Sequence, residues 1–151
     1  MKRVCLFVLC LLSAYPALNW STPVFESVTL TLQGREYHLQ VARSPTQKSH
    51  GLMFREKLAL DQGMLFVYQR AGDYRIWMKN TLIPLTVIWL DDDTKVVEIR
   101  LLQPCRQVSC PSYGSGSPAR YILELHADEY HRFQVGDRLP MVRHWQDAMV
   151  R

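Results

Sequence analysis

The stretch that decides the fold class reads VFESVTLTLQGREYHLQVA, from Val24 to Ala42. Apolar and polar residues alternate on both sides of Gln33–Gly34, which is the pattern of two half-buried strands joined by a turn. In the second half, Tyr37, Leu39 and Val41 fall on one face of the strand. The stretch therefore predicts a β-hairpin.

A short helix is predicted directly after the hairpin, at about residues 45–51. Ser44 suits the N-cap, Pro45 suits the first helical position, and Gln47 completes a capping box. Gly51 then ends the helix.

Further strand-like segments, separated by turn clusters, fill the rest of residues 21–140. They are Met64–Tyr68, Tyr74–Lys79, Leu85–Leu90, Lys95–Leu102 and Arg120–Leu125. Val135–Leu139 predicts a last turn and short strand. Many short strands with one helix predict a mainly β domain, either a sandwich or a partly open barrel.

Composition restricts the class of protein. The chain has 151 residues, 48% hydrophobic and 21% charged, which is typical of one globular domain. Its net charge is +4, and without Lys2 and Arg3 sixteen basic residues would face fourteen acidic ones, a balance of +2. The arginines are scattered and form no basic stripe, so no nucleic-acid surface is predicted.

The N-terminus has the pattern of a secretory signal. A basic start is followed by the apolar run Val4–Leu12 and then by small residues. We expect a signal peptide over residues 1–17, cleaved after Ala14 or Ala17, and a periplasmic or secreted protein. The alternative is that the segment is not cleaved and remains as a membrane anchor. Membrane attachment is predicted only in that case.

Cys105 and Cys110 are the two cysteines of the expected mature chain, and an exported protein favours a disulfide between them. The bond would shape the long loop Gln103–Pro118, and loops of this length are often functional. The tail 141–151 carries Met141, Trp145 and Met149 at helical spacing. This spacing predicts a helix that covers the core or, alternatively, docks a partner.

Four ordered blocks of the sequence resemble the domain-of-unknown-function 192 family. The blocks are Gly51–Arg55, Gly63–Phe66, Trp77–Leu85 and Tyr121–Leu125, and the resemblance extends from about Leu30 to Leu139. It implies a mainly β fold of sandwich or jelly-roll type, and it implies no established activity. The sequence departs from the family pattern at Thr86, where an Asp is usual, at His126 and Asp128, and in the tail.

The third block carries the first candidate ligand site. Lys79, Asn80 and Thr81 are polar and lie between apolar neighbours, beside the indole of Trp77. As a strand end, they would present an ammonium and an amide to a ligand against an aromatic wall. The alternative is structural: Asn80 stabilises a turn and Lys79 points into solvent.

Glu124 lies in the apolar run Tyr121–Leu125, so its carboxyl is either on the solvent face or buried with a partner. Near Lys79 or Arg55 it would form a ligand-binding ion pair, an acid–base pair or a structural salt bridge.

No metal or cofactor is predicted. Three groups of residues contain atoms that can bind a metal, but core or turn positions explain them better. They are Met53, Met64 and Met78; His126 and His131; and Asp91–Asp93.

Three functions remain open from the sequence. The favoured hypothesis is an exported, non-enzymatic module that binds a small polar or glycan-like ligand. The second is a hydrolase or lyase in which Glu124 and Lys79 are the acid–base pair. The third is a structural or protein-interaction module that uses the tail.

Overall fold

The computed structural model describes residues 22–140. The predicted signal peptide, its cleavage sites and the predicted helical tail lie outside the described residues. In that part of the chain the strands are β1 (Glu26–Leu32), β2 (Arg35–Ala42), β3 (Gln62–Gly72), β4 (Ile76–Trp77), β5 (Leu85–Leu90), β6 (Val96–Leu102), β7 (Ser112–Tyr113) and β8 (Ala119–His126). The helices are α1 (Pro45–His50) and a 3-10 helix (Ala127–Arg132).

Six strands form one sheet in the order β1-β2-β3-β8-β5-β6, and β4 pairs with β7 in a second, small sheet. The predicted hairpin is confirmed, with β1 and β2 antiparallel from Glu26↔Val41 to Leu32↔Arg35. Its turn places Gln33 and Gly34 at φ 47° and 76°. Two adjacent positive φ values match the tight turn whose twist suits a hairpin.

The strands β2 and β3 are parallel, unlike the other neighbours in the large sheet. A parallel pair needs a crossover connection, and α1 with the segment after it provides one. The predicted capping box is present, because Ser44 and Gln47 exchange hydrogen bonds between side chain and backbone. Gly51 ends the helix at φ 50°, as predicted.

Both faces of the large sheet carry an apolar core. We call them the 3-10 face and the α1 face, after the helix on each side. The 3-10 face includes Leu39, Leu65, Leu123 and Phe133. The α1 face includes Leu52, Met64, Phe66, Met78, Trp89 and Ile122. Because β5 lies inside the sheet and is covered on both faces, all six of its residues are buried.

The mainly β, open sandwich-like class predicted from the sequence is confirmed: the large sheet is not closed into a barrel. The predicted disulfide between Cys105 and Cys110 is also present, with Cα atoms 5.8 Å apart. In residues 22–140 no helix is both long and apolar enough to cross a bilayer.

Three strand predictions are wrong in extent. The predicted strand Met64–Tyr68 is longer and covers Gln62–Gly72. The predicted strand Tyr74–Lys79 shrinks to Ile76–Trp77, because Lys79 and Asn80 form a turn. Near the end of the described chain, Val135–Leu139 contributes only a bridge between Lys95 and Arg138.

Candidate functional site

Glu124 lies in the middle of β8, paired with Met64 of β3 and Val87 of β5. Its neighbours Leu123 and Leu125 belong to the core of the 3-10 face, so Glu124 points into the α1 face. The residue is only 4% exposed. The sequence left solvent exposure and burial as alternatives, and the structure shows burial.

The Glu124 carboxyl forms no hydrogen bond or ion pair with any side chain in residues 22–140, and its oxygens are not completely enclosed. Burial raises the pKa of Glu124 to about 8, and the nearby positive charge of Arg55 partly opposes the rise. At neutral pH the group is therefore mainly a neutral carboxylic acid, which both donates and accepts a hydrogen bond.

Arg55 is anchored to β2, which is separated from the strand of Glu124, β8, by β3. Its guanidinium donates a hydrogen bond to the side-chain carbonyl of Gln40 on β2. Gln40 pairs with Met64, and Met64 pairs in turn with Glu124, so the three lie in one row across the sheet. Burial lowers the pKa of Arg55, and the charge of Glu124 acts in the opposite direction. The predicted proximity of these two charges is present, although they form no direct ion pair.

A cavity of about 20 Å³ opens beside the Glu124 carboxyl, which is room for about one water molecule. Three residues predicted as ligand contacts line it together: Trp77, Thr81 and Glu124. The other lining residues are Lys48, Ser49, His50, Gly51, Leu52, Met53, Phe66 and Ile76. The first and third sequence blocks thus meet at one small cavity, which is too small to enclose a sugar ring.

Asn80 supports this site from outside. Its backbone carbonyl accepts a hydrogen bond of 2.8 Å from the amide of Phe54, and its side-chain amide lies 3.9 Å from the sulfur of Met53. Both Phe54 and Asn80 have positive φ, 63° and 56°. Such backbone strain persists only where surrounding contacts impose it. The structure therefore favours the structural interpretation of Asn80, which ties Gly51–Arg55 to the Lys79–Asn80 turn.

Lys79 is exposed, and its ammonium lies 5.2 Å from the centre of the Trp77 indole. It forms no ion pair with Glu124 within residues 22–140, so the proposed acid–base pair has no support in the geometry. Trp77 is 44% exposed and Phe54 62% exposed. Two aromatic side chains thus reach solvent from the two segments that build the cavity.

Thr86, where the family usually has an Asp, is fully buried and donates a hydrogen bond to the carbonyl oxygen of Ala127 at 3.0 Å. This contact fastens the 3-10 helix to β5. In the described part of the chain, no cluster of three or more His, Cys, Asp or Glu side chains is arranged to hold a metal ion.

Sequence reasoning missed a larger cleft of about 470 Å³ between α1 and the end of β3. Its lining residues are Arg43, Pro45, Lys48, Val67, Tyr68, Gln69, Arg70 and Tyr74. The available signal was a pair of tyrosines, Tyr68 within β3 and Tyr74 just after the strand ends at Gly72.

The family model of DUF192, described as uncharacterized ACR, matches residues 28–141. The chain belongs to the DUF192 family. This confirms the family resemblance drawn from the four sequence blocks. The family match carries no assigned activity.

Two crystal structures resemble this DUF192 chain. One comes from Sinorhizobium meliloti 1021 and is described as a candidate transcription regulator. It is 30% identical to this chain with a TM-score of 0.69, and the match covers 79% of this chain and 96% of the relative. The other is a protein of unknown function from Novosphingobium aromaticivorans DSM 12444, 25% identical with a TM-score of 0.62. That match covers 76% of this chain and 84% of the relative. No curated protein is significantly similar to the chain.

Proposed function

We propose that this DUF192 protein is an exported module of the cell envelope that binds a small neutral glycan at the mouth of the Glu124 cavity. The single observation that carries the proposal is the buried, unpartnered carboxyl of Glu124 next to an exposed indole. Trp77 supplies the surface for a sugar ring, and the cavity accepts one hydroxyl group.

The small volume of the cavity supports a site in which one hydroxyl is enclosed and the sugar ring stays outside. A space of about 20 Å³ holds one water-sized group and not a ring. The ring of the ligand would therefore lie outside, against Trp77 and Phe54, while one hydroxyl enters the cavity. Aromatic side chains provide a large contact area at a small cost in conformational entropy.

The protonation of Glu124 supports a neutral ligand. A protonated carboxyl can donate one hydrogen bond to a hydroxyl oxygen and accept one from the same kind of group. A sugar hydroxyl has both a donor and an acceptor, so it can form both of these hydrogen bonds with the carboxyl.

Calorimetric titration at pH 7 with cellotriose, chitotriose and maltotriose tests the proposal. We expect at least one of these trisaccharides to bind. Trp77→Ala and Glu124→Met should each weaken that binding about tenfold, since a lost hydrogen bond or ring contact costs roughly 1.4 kcal/mol. Glu124→Gln keeps a donor and an acceptor and should retain most of the affinity.

Leu82→Ala is the matched control, because Leu82 is an exposed apolar residue of the same segment that does not line the cavity. Failure of all three trisaccharides to bind would contradict the proposal. An equal effect of Leu82→Ala and Trp77→Ala would contradict the assigned site.

Export is tested separately, from the N-terminus of the protein made in a Gram-negative host. We expect periplasmic material whose intact mass corresponds to cleavage after Ala14 or Ala17. Cytoplasmic material that begins at Met1 would contradict export, and full-length protein in the membrane fraction would indicate the uncleaved anchor.

A further inference from the structure

The cleft between α1 and the end of β3 is a site distinct in size and charge from the Glu124 cavity. Its volume of about 470 Å³ is within the range of small-molecule sites. Three of its lining residues are basic, Arg43, Lys48 and Arg70, and none is acidic. A concentration of one sign of charge in a concave surface attracts ions of the opposite sign.

Two of these cations are not ion-paired with a carboxylate, although Lys48 also lines the cavity of Glu124. Lys48 and Arg70 form no ion pair with a carboxylate of residues 22–140. Arg43 lies 3.5 Å from the carboxylate of Glu26, whose side chain is 75% exposed and therefore well hydrated. Burial and the neighbouring charge of Arg43 lower the pKa of Lys48, as expected where like charges converge.

A pair of tyrosines contacts the ammonium of Lys48 and the backbone of Arg70. The rings of Tyr68 and Tyr74 stack with centres 3.5 Å apart and planes 10° apart. Because Tyr74 covers one face of Tyr68, the ammonium of Lys48 lies over the other, 4.1 Å from the ring centre. The hydroxyl of Tyr74 donates a hydrogen bond of 3.1 Å to the carbonyl oxygen of Arg70, which fixes the backbone there.

We propose that this cleft binds a compact polyanion that carries phosphoryl or carboxylate groups. Guanidinium groups bind both kinds of oxyanion through paired hydrogen bonds, and the ammonium of Lys48 adds a point charge. The hydroxyl of Tyr68 keeps its proton at physiological pH, because burial raises its pKa to about 12. It therefore serves as a hydrogen-bond donor to an anion.

The site goes beyond the proposed glycan function and does not depend on it. Lys48 is the one residue that lines both the cleft and the Glu124 cavity. The test therefore relies on Arg70 and Tyr74, which line only the cleft.

Titration calorimetry of the full chain with inorganic pyrophosphate and, separately, with citrate tests the proposal at low ionic strength. We expect at least one anion to bind and its affinity to fall as potassium chloride is added. Tighter binding of pyrophosphate would identify a phosphoryl ligand, and tighter binding of citrate a carboxylate ligand.

Arg70→Ala and Tyr74→Leu should each weaken the binding about tenfold, while the far-UV circular dichroism of both variants stays that of the wild type. Arg138→Ala is the matched control, since Arg138 is an exposed arginine that does not line the cleft. Binding of neither anion, or an equal loss in Arg138→Ala, would overturn the proposal. Neither result would change the interpretation of the trisaccharide titrations, so the two proposals can fail independently.

Discussion

Gly63 of β3 and Glu124 of β8 approach each other so closely that no side chain fits between them. A Cβ atom at position 63 would lie 2.3 Å from the carbonyl oxygen of Glu124 and 2.7 Å from the side chain of Leu125. Contacts this short with a backbone atom cannot be relieved by turning a side chain. The absence of a side chain at Gly63 therefore lets the strand that carries Glu124 pack against β3.

We predict that Gly63→Ala lowers the free energy of unfolding by about 2–3 kcal/mol, because β3 and β8 must separate. Gly34→Ala is the control: its φ is +76°, but a Cβ there meets nothing within 4 Å. Strain alone should cost about 1 kcal/mol. Urea unfolding measures both values, and equal losses would contradict the steric explanation.

The buried carboxyl of Glu124 makes stability depend on pH. Its folded pKa is raised from 4.5 to about 8, so between these values the folded state holds a proton that the unfolded state has released. The free energy of unfolding should therefore fall as pH rises through this window, by up to about 1.4 kcal/mol per pH unit.

Glu124→Gln removes the ionisable group at nearly constant shape. Its free energy of unfolding, measured in urea from pH 5 to 9, should exceed that of the wild type increasingly toward pH 9. A constant difference between the two proteins across this range would contradict the raised pKa.

Glu129 is the second buried carboxylate, and it is fully partnered. It accepts hydrogen bonds from Arg35, from Arg132 at 2.7 Å and from the hydroxyl of Tyr37, whose pKa is raised by burial and by this carboxylate. Removing one member of a buried charged group leaves the others unpaired.

We predict that Glu129→Ala lowers the free energy of unfolding by about 3 kcal/mol. Tyr37→Phe, which removes one hydrogen bond, should cost about 1 kcal/mol. Thermal denaturation of both variants at pH 7 provides the measurement. A loss below 1 kcal/mol for Glu129→Ala would contradict the stability assigned to this buried network.

The disulfide closes a short loop next to the candidate site, since the backbone amide of Cys105 lies 3.4 Å from the carbonyl oxygen of Met78. A loop this small gains about 2 kcal/mol or less from chain entropy. The double variant Cys105→Ser/Cys110→Ser should fold and lose no more than that in urea unfolding. Failure of the variant to fold would contradict a role limited to shaping the loop.

Local features of the sequence predicted much of the fold. The hairpin at Gln33–Gly34 and the capping box of Ser44 depend on neighbouring residues, and the boundaries of β5 follow from an apolar run that only Thr86 interrupts. The parallel pairing of β2 with β3 was not predicted, because it is a long-range choice that alternation of polar and apolar residues does not specify.

The candidate site was predicted only in part, because it also depends on contacts between residues far apart in the sequence. Family blocks identified Trp77, Thr81 and Glu124, which line one cavity. The turn at Asn80 was predicted only as the alternative interpretation, because its positive φ accompanies a hydrogen bond from the distant Phe54. The basic cleft was missed because α1, β3 and the loop after β3 each contribute only part of it.

The most direct test of the glycan site is the carbon-13 NMR signal of the Glu124 side-chain carboxyl at pH 7, followed while the tightest-binding neutral trisaccharide is added. We predict the chemical shift of a protonated carboxyl, which moves on saturation while the signal of the buried Glu129 on the other face stays in place. A Glu124 carboxyl that is already ionised at pH 7, or whose signal does not move at saturation, would contradict the proposal.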